Sequence, residues 1–331
     1  MFLEVKVVEK QDLEKQIKKL AITKQLNFLI GSGVSMPAIP LMGMIEETEG
    51  SDRNDILLAR VSEISTALLD NGAKVEFEDK LKLTLDNYAD FISAILDVLN
   101  LSNSRQTPKN ANIFTTNYDL FIEKSIDLQS MNTRFVLNDG ARGYFDRLLD
   151  SSNYNRVVSY KGLNDNYINE IPSISLIKPH GSINWEKKQL NGNTVINVKP
   201  CVVENPVVVP PTGYEGEETF INNHFHEMLR VFQLELDKPQ SVLFTIGFSF
   251  QDDHIAKMVR RALQNPELLV FAFAYNDDDK ENILKNLGLD SDKRNLKIVT
   301  LSDLIGGDEQ ITIETVTKLL SSAKLEDAND K

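Results

Sequence analysis

Leu13, Ile17 and Leu20 recur on one side of a 3.6-residue period within residues 8–20, with charges opposite, and this predicts an amphipathic helix. The period then changes. Leu26 to Ile30 is a short apolar run that stops abruptly at Gly31-Ser32-Gly33, the mark of a buried strand entering a tight turn. Residues 45–55, rich in Glu, Gly, Ser, Asp and Asn, predict a surface excursion. Helical spacing returns from 56 to 101, through Ile56, Leu57, Val61, Ile64 and Leu68, then Tyr88, Phe91, Ile92, Ile95 and Leu99. Ala111 to Thr115 and Ser173 to Lys178 read as further strands, and a helix follows Asp119. Residues 131–170 are polar and read as loops and short elements. Short β-type runs, Thr194 to Val198 and Pro206 to Val209, precede Pro210-Pro211 and a helix from Phe225 to Leu236.

The last third is the most regular. Val242 to Ile246, Leu268 to Tyr275 and Leu296 to Leu301 predict strands. Between them lie helices at Asp252–Leu263 and Lys280–Leu287, and a closing helix runs from Glu314 to Ala323. Helices alternating with short, largely apolar strands indicate a parallel sheet covered on both faces. The expected fold class is therefore α/β, a doubly wound parallel sheet built from residues 1–44, 105–130, 172–186 and 240–305. Helical and loop insertions are expected at about 45–104, 131–171 and 187–239, within one domain over 1–305. Residues 306–331 are expected to be a C-terminal helix and, after Leu325, a disordered tail. In such sheets ligands bind beyond the carboxyl ends of the strands.

Composition narrows the classes of function. At 331 residues, 41% hydrophobic and 26% charged, the chain is an ordinary globular one that needs no covalent staples. Thirty-six Lys and Arg against 49 Asp and Glu leave −13, which disfavours duplex nucleic acid and anionic lipid as ligands. A single cysteine, Cys201, excludes an internal disulfide and a cysteine-rich zinc site, and no metal is expected. No apolar run approaches the roughly 20 residues that span a bilayer, and a cytoplasmic location is expected.

Four short segments, each after a predicted strand, carry the candidate chemistry. Gly31-Ser32-Gly33-Val34-Ser35 suits close approach of a pyrophosphate, or simply a tight turn; Met36 stands where a dehydrogenase fingerprint needs its third glycine. Thr115-Thr116-Asn117-Tyr118-Asp119 offers an amide and a carboxylate for sugar hydroxyls, or a helix cap. Lys178-Pro179-His180-Gly181 places an imidazole at a strand end, as a general base or as a half-buried turn histidine. In Gly247-Phe248-Ser249-Phe250-Gln251-Asp252-Asp253, Gly247 and Ser249 suit a nucleotide, while Asp252 or Asp253 suits a helix cap. Elsewhere the reading is structural. His224 and His226, with Glu227, are expected on a solvated helix face; Cys201 is expected to be inert packing; Trp185 is expected in the core or as a lid. Arg142 and Arg147 flank a loop near enough in sequence to cover a ligand, though nothing requires it.

In this order the four segments resemble the sirtuin family of NAD-consuming enzymes, which carry a Gly-Ala-Gly turn, a Thr-Gln-Asn-Ile-Asp segment, a catalytic His-Gly and a later Gly-Thr-Ser turn. The Asp-Phe-Arg triplet and the four-cysteine zinc module of the deacylases are missing. The Phe248–Asp253 turn resembles the bacterial branch found in anti-phage defence, whose members resemble NAD hydrolases, some working with a HerA-like ATPase and others with Argonaute-type partners. The resemblance implies a Rossmann-like fold and cleavage of the nicotinamide–ribose bond of NAD, the substrate, by water. It implies that Asn117 orients ribose or water and that His180 is the base, acting on a ribose hydroxyl or on the water. It implies that Asp119 contacts the carboxamide or the ribose, and that Gly31, Ser32, Gly33, Ser35, Thr116, Gly247 and Ser249 bind the remainder. It implies a homo-oligomer or an ATPase partner, since unregulated NAD loss would kill the host. The competing expectation is a catalytically silent sensor or assembly module that binds NAD or ADP-ribose for a partner ATPase or nuclease.

Overall fold

A computed structural model describes residues 2–47, 51–70, 78–101, 108–160, 170–209, 219–291, 293–304 and 309–321. Among these residues, seven strands form the central sheet: β1 (Gln25–Ile30), β2 (Asn110–Thr115), β3 (Val136–Asn138), β4 (Ser173–Ile177), β5 (Ser241–Ile246), β6 (Leu269–Phe273) and β7 (Leu296–Val299). All their pairings are parallel, in the order β7-β6-β5-β1-β2-β4-β3. The chain starts at the middle, builds outward through β2 to β4, then returns to the other side of β1 with β5. Strand order therefore reverses between β1 and β5, and the loops beyond their carboxyl ends open a crevice there.

Among the described residues, eight α-helices cover the sheet: α1 (Phe2–Thr23), α2 (Arg53–Leu69), α3 (Glu78–Leu101), α4 (Phe121–Ser130), α5 (Thr219–Leu236), α6 (Asp253–Ala262), α7 (Asp279–Leu287) and α8 (Ile313–Ser321). Because side chains alternate along a strand, neighbours serve opposite faces. Phe28 packs edge-on against Phe91 of α3, with ring centroids 5.2 Å apart, in a core shared with α1, α2, α4 and α8. Leu29 joins Phe114 and Leu243 beneath α5, α6 and α7, where Phe232 meets Phe114 at 4.7 Å. Leu26 to Ile30 are all buried, which is why the strand reads as a continuous apolar run rather than as an alternation.

Three features differ from the sequence expectation. The first helix begins at Phe2 rather than at residue 8. The polar stretch 131–170 supplies β3, the edge strand of the main sheet, besides two short strands, Ala141–Arg142 and Leu148–Leu149. Those two pair with a hairpin, Trp185–Leu190 and Asn193–Val198, in a separate four-stranded antiparallel sheet. Trp185, Ile196, Val198 and Val207 form its own small core, so Trp185 is core rather than a lid. Pro210-Pro211 and the expected tail after Leu325 lie outside the described residues.

Candidate functional site

Turns after β1, β2, β4 and β5 converge on one cavity of about 460 Å³, within the size range of small-molecule sites. The first and last of these turns are locked together. A Cβ on Gly31 would lie 2.3 Å from the Gly247 carbonyl oxygen, and one on Gly247, whose φ is +60°, would lie 2.7 Å from the Val34 nitrogen. The Gly33 N–H donates to the Gly247 carbonyl at 3.1 Å. Backbone-on-backbone contact thus accounts for the glycines at 31, 33 and 247. Gly31 and Gly33 lie behind the cavity wall, whereas Ser32, Ser35, Gly247 and Ser249 line it.

The turn after β2 carries the amide and the carboxylate. Thr115 Oγ1 donates to the Ile30 carbonyl at 2.9 Å and receives the Asn117 N–H at 3.1 Å, tying β2 to β1 where the sheet ends. Asn117 Nδ2 donates to the Gly31 carbonyl (3.0 Å) and Ser35 Oγ (3.1 Å), with Tyr88 Oη of α3 at 3.5 Å. Ser35 Oγ donates to Asp119 Oδ2 at 2.7 Å and lies 3.0 Å from Tyr88 Oη. The other oxygen of Asp119 accepts the Phe121 N–H at 3.2 Å, so this side chain serves the start of α4 as well as the cavity. Burial raises the Asp119 carboxyl above the usual aspartate range, against the lowering effects of the Lys178 charge and the Ser35 and Phe121 donors.

Beneath lies a buried cation. Lys178 Nζ donates to the Asp119 carbonyl (2.6 Å), Ser182 Oγ (2.9 Å) and Glu123 Oε1 (2.9 Å), joining the β2 turn to the β4 turn. His180 follows on that β4 turn, at the cavity wall. Its carbonyl accepts the Val209 N–H at 2.8 Å, and Gly181, at φ +84°, packs so closely on the strand Val207–Val208 that a Cβ would lie 1.9 Å from the Val207 oxygen. Glycine after the histidine is therefore a geometric requirement. His180 Nε2 lies 2.9 Å from Asp252 Oδ2, and its ring lies 5.4 Å from that of Phe225.

The cavity brings together Asn117, Asp119, His180, Ser32, Ser35, Thr116, Gly247 and Ser249, leaving aside Gly31 and Gly33. Tyr88 and the pairing of Asp252 with His180 escaped the sequence reading. Tyr88 occupies an apolar helix face where a phenol looks like core, and Asp252 shows in sequence only as a cap. Two other expectations are corrected. His224 is buried rather than solvated, stacked edge-on with Trp185 at 5.3 Å, and burial lowers its pKa to about 4; His226 and Glu227 are exposed, because α5 turns only one side to the sheet. Cys201 is exposed rather than packed. Arg147 pairs with Asp139 at 2.8 Å and Arg142 with Asp150 at 3.7 Å, and neither lines the cavity.

Among the described residues no group of three or more His, Cys, Asp or Glu side chains could hold a metal ion. No helix among them is long and apolar enough to cross a membrane. No curated protein matches the chain. The family model for the SIR2-like domain matches residues 111–291, from β2 through α7, and so contains the β2, β4 and β5 turns. Spanning more than half of the chain, this match shows that the protein belongs to the SIR2-like domain family, whose members are commonly NAD-dependent enzymes.

Proposed function

We propose that the protein is an NAD hydrolase that releases nicotinamide and ADP-ribose. The observation that carries this reading is the convergence of His180, Asn117 and Asp119 on one cavity at the reversal of strand order. Ser32 and Ser249 line the same cavity from the β1 and β5 turns and offer hydroxyls to the phosphates and the adenosine side. Asn117 has its Nδ2 committed to Gly31 and Ser35, so its Oδ1 is the atom offered to the ribose or the water. The carbon–nitrogen bond at ribose C1′ breaks with its electron pair passing to the nicotinamide ring nitrogen, which leaves neutral. Water bonds to the oxocarbenium-like carbon and gives its proton to His180. Held geometry and a positioned base lower the barrier to this step.

The test is chromatography of nicotinamide and ADP-ribose released by wild type, His180→Ala and Asn117→Ala. His180→Ala is expected to lose about 10²–10⁴-fold in kcat with NAD affinity and melting temperature kept. Tight NAD binding without turnover in wild type would replace the hydrolase by the sensor reading. The resemblance of the Phe248–Asp253 turn to the defence branch supports a role as an effector that depletes NAD on infection. It also supports working as a homo-oligomer or with a HerA-like ATPase, which mass measurement in solution, alone and with the product of the neighbouring gene, will test.

A further inference from the structure

We propose that Asp252 is a positioning residue for His180, fixing the imidazole with its proton on Nε2 and leaving Nδ1 as the basic nitrogen. This rests on the hydrolase reading above. A carboxylate only accepts hydrogen bonds, and a neutral imidazole donates from one nitrogen alone. The 2.9 Å contact between Asp252 Oδ2 and His180 Nε2 therefore assigns the proton.

Both partners are held independently of each other. Asp252 Oδ1 accepts the N–H groups of His254 (3.0 Å) and Ile255 (3.2 Å) as the cap of α6, whose N-terminal dipole favours negative charge. One oxygen thus serves the helix and the other the histidine. Gly247 at φ +60° and Phe250 at φ +60° bend the turn that carries Asp252 back from β5. Phe250 is buried in the core beneath, which holds a backbone conformation that phenylalanine rarely adopts. His180 is fixed through its carbonyl and the Gly181 packing described above. The strands that deliver the pair, β4 and β5, are separated in the sheet by β1 and β2, so the contact bridges the crevice above those two strands.

Burial pushes the Asp252 carboxyl up, but His180 and the two backbone donors outweigh it and leave the group below the usual aspartate range. Other titratable groups surround the pair. Asp119 and Asp253 line the same cavity, Lys178 lies beneath, and His226 and His254 meet the Phe225 ring that His180 also meets.

Asp252→Asn tests the assignment, because Asn caps helices about as well as Asp while removing the charge that faces the imidazole. The expected result is a 10²–10⁴-fold loss of kcat, the range of a general-base contribution, with KM changed less than about threefold and only a small fall in melting temperature, because the ionised Asp252 also stabilises the fold. Without its counter-charge the imidazolium is less stable, so the acid limb of the kcat profile is expected to move to lower pH. Nitrogen-15 spectra of the imidazole, assigned with His180→Ala, are expected to show Nε2 protonated in wild type. Wild-type kcat and an unmoved pH profile in Asp252→Asn would overturn the proposal. So would a loss of kcat no larger than the loss of folded protein, which would mark a merely structural cap. Absence of NAD turnover in wild type would sink the hydrolase reading alone. The spectra would then decide, with an Nδ1 proton on His180 overturning the assignment and an Nε2 proton supporting it.

Discussion

Two aspartates of the same cavity carry opposite electrostatic histories. Asp119 is displaced upward, chiefly by burial, so the folded chain holds its proton to a higher pH than the unfolded chain does. Its ionised form costs stability above the folded pKa, and that cost disappears as pH falls through the folded and then the unfolded value. Asp119→Asn keeps one oxygen to accept the Phe121 N–H and turns its NH2 to Ser35 Oγ, which then accepts instead of donating. It is therefore expected to raise the melting temperature at pH 7, by about 2–4 °C for each kcal/mol relieved, with the gain fading toward pH ~4. Thermal melts across that range check it. Asp252 behaves in reverse: its lowered pKa stabilises the fold above the unfolded value and is lost as pH falls through the folded one. No local signal separates the two, since each is an Asp near a strand end with a helix after it. What differs is how deeply the surrounding elements bury each one, and sequence carries that only through the completed fold. His180 and Asn117 were legible because each polar residue closes a buried apolar run.

Below the cavity, elements are also joined by an ion pair whose cation is buried and whose carboxylate is partly exposed. Lys178, 2% exposed, links the β2 turn to the β4 turn through the Asp119 carbonyl, Glu123 and Ser182. Burial raises the Glu123 carboxyl, against the lowering effect of Lys178. Lys178→Met leaves that carboxylate without its partner and is expected to cost about 3–5 kcal/mol in urea unfolding. Replacing Glu123 by Leu as well should recover most of the loss, because an apolar pair of similar volume replaces a broken one. Turnover should stay low in the double variant, since nothing then ties the Asp119 carbonyl to the β4 turn. The strands themselves were legible from their apolar runs. β3 was not: three half-buried residues, Val136-Leu137-Asn138, are too few to show a period, and only pairing with β4 defines them as a strand.

At the scale of the whole molecule, stability is expected to be graded from the centre of the sheet outward. β1 is wholly buried and pairs along its length with both β2 and β5, whereas β3 is half-buried at the edge with one neighbour. Amide hydrogen exchange of Leu26 to Ile30 is accordingly expected to require global unfolding, and that of Val136 to Asn138 to proceed by local opening, at least tenfold faster. The doubly wound order was legible from alternating helices and strands. The reversal between β1 and β5 was not, because it depends on which distant strand lies beside the first.

That reversal also fixes a timetable. Ser32 is among the first residues of the cavity wall to leave the ribosome, yet the turn it belongs to closes only against Gly247, and Asp252 follows later still. A nascent chain that ends before β5 has one wall of its cavity and no opposite wall. On the hydrolase reading proposed above, the order of synthesis is itself a safety catch, because the capacity to act arrives only once β5 and the turn that carries Asp252 have been made.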